Sequence, residues 1–96
     1  MTVGMTVPIV RKLKIVNEKG LHARASAKLV EVVEAHDASA YVSKNGTGAS
    51  GDSIMGLLML GAARGETITV ETSGPEAEAL AAALERLVAE RFGEDA

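Results

Sequence analysis

His22 and Arg24 are the residues of this chain best suited to chemistry, and they lie two positions apart in Gly20-Leu21-His22-Ala23-Arg24-Ala25-Ser26. Imidazole is nucleophilic near neutral pH because its free pKa lies close to about 6.5. The guanidinium of Arg24 offers a planar fork of donors to an anion. The segment falls where a strand pattern stops and a helix pattern begins. A helix N-terminus presents unpaired backbone N–H groups and a partial positive charge, which is a ready site for phosphate. A phosphoryl group carried on His22 is therefore the reaction these residues could support. A lone histidine at a helix start is more often a cap or a solvent-facing residue, so position by itself leaves both readings open. Gly20 permits a tight turn ahead of the helix, and the small Ala23 and Ala25 leave room for a partner to approach.

Other chemistries fit less well. His36 is the only other histidine and stands at the opposite end of the same predicted helix, so no metal-ligand set forms around His22. Serines and acids are present, but nothing in the sequence places them beside His22 as a hydrolytic triad. Gly46-Thr47-Gly48-Ala49-Ser50-Gly51 has the glycine spacing of a dinucleotide fingerprint. That fingerprint needs a parallel strand–helix–strand unit, whereas Asn45-Gly46 is a hairpin-turn dipeptide.

The elements that must position these residues follow from periodicity. Ile9–Val16 alternates as a strand, with Ile9, Leu13 and Ile15 on one side, and Asn17–Gly20 reads as a loop. Ala23 to about Ala35 has helical period, with an inward stripe of Ala23, Ala27 and Val30 and with Leu29 and Val33 beside it. Ala38–Lys44 and Thr47–Ala49 are strands of one hairpin. Ser53 caps a short apolar helix, Ile54–Leu60, which Gly61 stops. Thr67–Glu71 is a fourth strand. Ser73-Gly74-Pro75-Glu76 opens a third helix whose stripe runs Ala77, Leu80, Ala81, Leu84, Leu87, Val88 and Phe92. The order βαββαβα predicts an α+β open-faced sandwich, with a four-stranded antiparallel sheet and three helices on one face.

The second segment of interest is Ile54-Met55-Gly56-Leu57-Leu58-Met59-Leu60, which is apolar almost all round. It serves either as a wholly buried helix or as an adaptable docking patch with Met and Leu exposed.

Composition bounds the rest. Ninety-six residues, 47% of them hydrophobic, make one domain (1–96), with residues 1–6 expected as a loose N-terminal extension. With one Phe, one Tyr and no Trp, the core must be aliphatic. The absence of cysteine removes disulfides and thiolate chemistry. No apolar run is long enough to span a bilayer, and Met1–Val10 does not read as a signal peptide, so a cytoplasmic protein with no membrane partner is expected. A net charge of -3 argues against nucleic acid. The charge is uneven: residues 1–50 hold seven Lys/Arg against four Asp/Glu, and residues 51–96 hold three against nine. The basic half contains His22, which suits an acidic partner or a phosphate.

Gly20-Leu21-His22-Ala23-Arg24, followed by Ser53-Ile54-Met55-Gly56 and Leu60-Gly61, resembles the HPr family, the histidine-containing phosphocarriers of the bacterial phosphotransferase system. The resemblance spans about Val7 to Val88. It implies that His22 takes a phosphoryl group through Nδ1 from enzyme I, which draws it from phosphoenolpyruvate, and passes it to enzyme IIA proteins. It implies that Arg24 stabilises the phosphate, and that Ser53 matches the regulatory serine modified by HPr kinase/phosphorylase. It assigns partner docking to Ile54, Met55 and Leu58, with Ala23 and Ala27 on the adjoining helix. No cofactor or metal is implied, and a monomer acting stoichiometrically, without turnover of its own, is expected. Many members carry Pro where this chain has Ala25, and a basic or neutral residue is commoner at Asp52. The His-Ala-Arg-Ala-Ser form is closer to the nitrogen-related or regulatory carriers than to those of sugar uptake. The contrasting class is a regulatory interaction module that uses the 54–60 helix, with His22 merely capping.

Overall fold

The computed structural model describes residues 7–96, so the expected extension at residues 1–6 lies outside the described residues. Its elements run β1 (Ile9–Lys14), α1 (Ala23–Glu34), β2 (Ser39–Lys44), β3 (Thr47–Ser50), α2 (Ile54–Leu60), β4 (Thr67–Ser73) and α3 (Ala77–Ala89), followed by a 3-10 turn at Arg91–Gly93. The four strands form one antiparallel sheet in the order β1-β4-β2-β3, with the three helices on one face. The hairpin signal at Asn45-Gly46 is realised, with Lys44 opposite Thr47. The fingerprint-like glycines 46–51 thus belong to an antiparallel hairpin. No helix among the described residues is long and apolar enough to cross a membrane.

The sheet's alternation sorts the strands by burial. Leu13, Ala40, Val42, Ala49, Ile68 and Val70 face the helices and are buried. They meet Leu29, Val30 and Val33 of α1, Leu57 and Leu60 of α2, and Leu80, Leu84 and Val88 of α3. The outer face carries Lys12, Lys14, Tyr41 and Glu71, as a half-solvated antiparallel sheet should.

Three details differ from the sequence expectation. On α1 the inward stripe is Ala25, Ser26, Leu29, Val30 and Val33, while Ala23 is exposed and Ala27 only half-buried. Burying the larger Leu and Val side chains outweighs burying Ala23 and Ala27, and Ser26 enters the core because its hydroxyl donates to the Leu21 carbonyl at 3.3 Å. Secondly, Ser73 does not open α3. Sheet pairing continues through Ser73, opposite Ser39, so the helix begins only at Ala77.

The third difference bears on the site. Phe92 is not on the stripe of α3, which ends at Ala89. Arg91 (φ 59°) and Phe92 (φ 54°) adopt left-handed backbone, and the turn folds the Phe92 ring into the core, where it is fully buried. Left-handed backbone costs about 1–2 kcal/mol per residue. Truncating a buried Phe typically costs about 3–5 kcal/mol, so the ring's burial offsets the turn. Lys28 of α1 fastens the same turn by donating to the Phe92 carbonyl at 2.7 Å.

Candidate functional site

His22 is the N-cap residue of α1, with extended backbone (φ -81°, ψ -175°) and no side-chain cap bond. Its carbonyl accepts the first helical hydrogen bond, from the Ser26 N–H at 2.8 Å. The N–H groups of Ala23, Arg24 and Ala25 are thus the unpaired donors of the first turn. Two contacts fix where the helix starts. The Leu21 N–H donates to the Ala62 carbonyl at 2.9 Å, and Gly20 lies hard against the same carbonyl with φ +65°. A Cβ at Gly20 would collide with Ala62, so this close approach requires glycine.

The imidazole is not a bare cap. Its Nε2 is hydrogen-bonded to the Glu94 carboxylate, which follows the Phe92 turn. The His22 side chain keeps 27% of its exposure. Among the described residues, Nδ1 has no hydrogen-bond partner. The other oxygen of Glu94 accepts from Nδ2 of Asn17 at 3.1 Å, and Asn17 also donates to the Gly20 carbonyl at 2.8 Å. Asn17 is itself fully buried. Burial works to raise the Glu94 carboxyl, but hydrogen bonds from His22 and Asn17, with the charges of His22 and Lys19, outweigh it and hold the carboxyl below its usual value. A cleft of about 410 Å³ opens here, lined by Glu18, Lys19, His22, Ala23, Arg24 and Glu94 among others. Arg24 is exposed on the first turn and has no ion pair among the described residues, so its guanidinium is available to an incoming anion.

Ser53 lies on a separate element, as the N-cap of α2, where its Oγ accepts from the Gly56 N–H at 3.0 Å. Asp52 beside it is exposed and accepts from the Ser50 hydroxyl at 2.6 Å. The two readings of the apolar helix resolve into two faces. Leu57 and Leu60 are buried, Leu58 is half-buried, and Ile54 (39%), Met55 (68%) and Met59 (79%) are exposed. α2 packs against α1, so these side chains and the exposed Ala23 and half-buried Ala27 belong to neighbouring elements on the helical side of the sheet. His36 is remote in role: its Nδ1 lies 2.7 Å from the Val32 carbonyl at the end of α1.

Sequence reasoning missed Glu94, Asn17 and Met59. Nothing local marks Glu94, since an acid near a helix end is ordinary, and its contact spans 72 positions. Asn17 reads simply as a loop residue. Met59 could have been found, because i+4 spacing from Met55 puts both on one helix face.

Comparison with known proteins bears on this arrangement. A family model described as the PTS HPr component phosphorylation site matches residues 9–90. Phosphocarrier protein HPr of Cupriavidus necator is 45% identical over 84 residues, covering 88% of this chain and 94% of that protein. Phosphocarrier protein NPr of Escherichia coli is 41% identical over 96 residues, covering 99% of this chain and 100% of that one. Among solved structures, the crystal structure of HPr-C-His from Thermoanaerobacter tengcongensis matches with a TM-score of 0.87 at 30% identity, over 92% of this chain and 99% of that chain.

Proposed function

This chain belongs to the HPr family of phosphocarriers, and we propose that it accepts a phosphoryl group on Nδ1 of His22 from enzyme I and passes it to enzyme IIA proteins. The observation that carries this reading is the division of labour on the imidazole: Nε2 is engaged by Glu94, while Nδ1 has no partner among the described residues, and the ring lines an open cleft. The Nδ1 lone pair forms the new N–P bond as the donor's bond to phosphorus breaks, and onward transfer reverses these roles. The first-turn N–H groups of α1 and the exposed Arg24 supply donors for the phosphoryl oxygens.

Ile54, Met55 and Leu58, with Ala23 and Ala27, make the partner surface in this reading. Their exposed, flexible Met and small Ala side chains support brief contacts, and a carrier must leave each partner quickly. Ser53 stands at the head of that surface, where a kinase-added phosphate would place roughly -1.5 to -2 charges beside Asp52. The protein acts as a cytoplasmic monomer and shows no turnover without its partners. Its relatives include carriers of both names, HPr and NPr, at comparable identity. The outlet, sugar uptake or nitrogen-type regulation, is then set by which enzyme IIA proteins the cell supplies.

Incubation with phosphoenolpyruvate and enzyme I tests the reading. An acid-labile phosphate should form on the wild type and be absent from His22→Ala. An unlabelled wild type would leave only an interaction module built on the 54–60 helix, and label persisting on His22→Ala would move the accepting site to another residue.

A further inference from the structure

We propose that Glu94 is a positioning residue for phosphoryl transfer: its carboxylate keeps the ring proton on Nε2 of His22, so that Nδ1 presents its lone pair. The inference rests on His22 being the phosphoryl-carrying residue.

An ionised carboxylate only accepts hydrogen bonds, so the ring nitrogen facing Glu94 must be the one that bears hydrogen. The depressed carboxyl of Glu94 keeps it ionised at neutral pH. A neutral imidazole has one N–H, and placing it on Nε2 leaves Nδ1 as the nucleophile.

Attack makes the ring cationic. Nδ1 spends its lone pair on phosphorus, the donor's bond to phosphorus breaks with its electron pair leaving on the donor atom, and Nε2 keeps its proton throughout. The adjacent carboxylate balances the charge that develops on the ring. On the way out the same retained proton lets the ring depart as neutral imidazole, a far better leaving group than its anion. One contact therefore serves both acceptance and release, and no further reactant is needed.

The surroundings show how firmly Glu94 is placed. Asn17 directs its amide N–H groups at two acceptors, the Gly20 carbonyl and Glu94, and so ties Glu94 to the turn ahead of α1. From the other side, the buried Phe92 ring and the Lys28 hydrogen bond to the Phe92 carbonyl fix the turn that delivers Glu94.

The test uses a small-molecule phosphoramidate as donor, so no partner protein is required. Wild type, Glu94→Gln, Glu94→Ala and Glu85→Gln are compared for the rate of phosphohistidine formation and for the ring nitrogens by 15N NMR. Glu85 is exposed on α3 and lies outside the cleft, so its variant removes the same charge as Glu94→Gln away from the site. Glu94→Ala should slow formation about tenfold, the weight of one partly exposed charge-assisted hydrogen bond. Glu94→Gln should fall between, because it accepts the hydrogen bond without the charge, and Glu85→Gln should match the wild type. The Nε2-bound proton should exchange with water more slowly in the wild type than in Glu94→Ala. Equal formation rates in wild type and Glu94→Ala, or equal proton exchange, overturns the role of Glu94 while the carrier reading stands. Failure of the wild type to form phosphohistidine at all overturns both.

Discussion

At the scale of single residues, the arrangement pairs a fixed imidazole with a free guanidinium. Arg24 lies on the outer side of the first turn of α1, lines the cleft and contributes nothing to the core. Arg24→Ala should therefore lower the rate of phosphoryl acceptance about tenfold, by loss of charge-assisted bonds. Its unfolding free energy should stay within about 0.5 kcal/mol of the wild type. Parallel transfer kinetics and urea unfolding check both halves, and an unchanged transfer rate would remove Arg24 from the site. His22 and Arg24 were legible in the sequence because their chemistry is local: an imidazole and a guanidinium at a strand-to-helix junction. Asn17 and Glu94 were not, because their meaning arises only from a contact between residues 77 positions apart.

Among the elements, α2 is the one whose sequence and structure agree to the residue. Ser53 caps it, Gly61 ends it at φ 61°, and both signals lie within the segment itself. α1 was placed correctly but its buried face was not, because alanines count as apolar in a pattern yet bury little. Ser26 counted as polar although a backbone carbonyl satisfies it in the core. The start of α3 was masked by sheet pairing that extends through Ser73, a non-local effect. The cap on α2 also frames a test of regulation. Ser53→Asp keeps a good N-cap residue, so the helix should persist, while a second charge beside Asp52 alters the head of the docking face. Affinity for enzyme I, measured by calorimetric titration, should drop about tenfold. Equal affinity would reduce Ser53 to its capping role.

For the molecule as a whole, the α+β order was readable from local periods and the Asn45-Gly46 turn, whereas the sheet order β1-β4-β2-β3 arises from long-range pairing that sets β4 between β1 and β2. A clasp behind the site joins distant parts of this frame. The Glu66 carboxylate accepts from the Ala63 N–H at 2.7 Å and from Lys44 at 3.1 Å, holding the 61–66 loop whose Ala62 carbonyl supports Leu21. The Ala63 N–H and the Lys44 hydrogen bond, helped by the Lys44 charge, outweigh burial and lower the Glu66 carboxyl. A carboxyl lowered in the folded state gives stability that is present above its unfolded pKa and lost as pH falls through its folded one. Urea unfolding from about pH 6 to about pH 3 should thus show a steeper loss in wild type than in Glu66→Gln, and parallel curves would exclude the clasp. The Phe92 turn carries a different kind of consequence, one of timing. During synthesis Asn17 and His22 emerge some seventy residues ahead of the aromatic plug that delivers Glu94. The reactive histidine is thus made well before the turn whose docking completes its cleft. A partly made chain lacks its finished acceptor site.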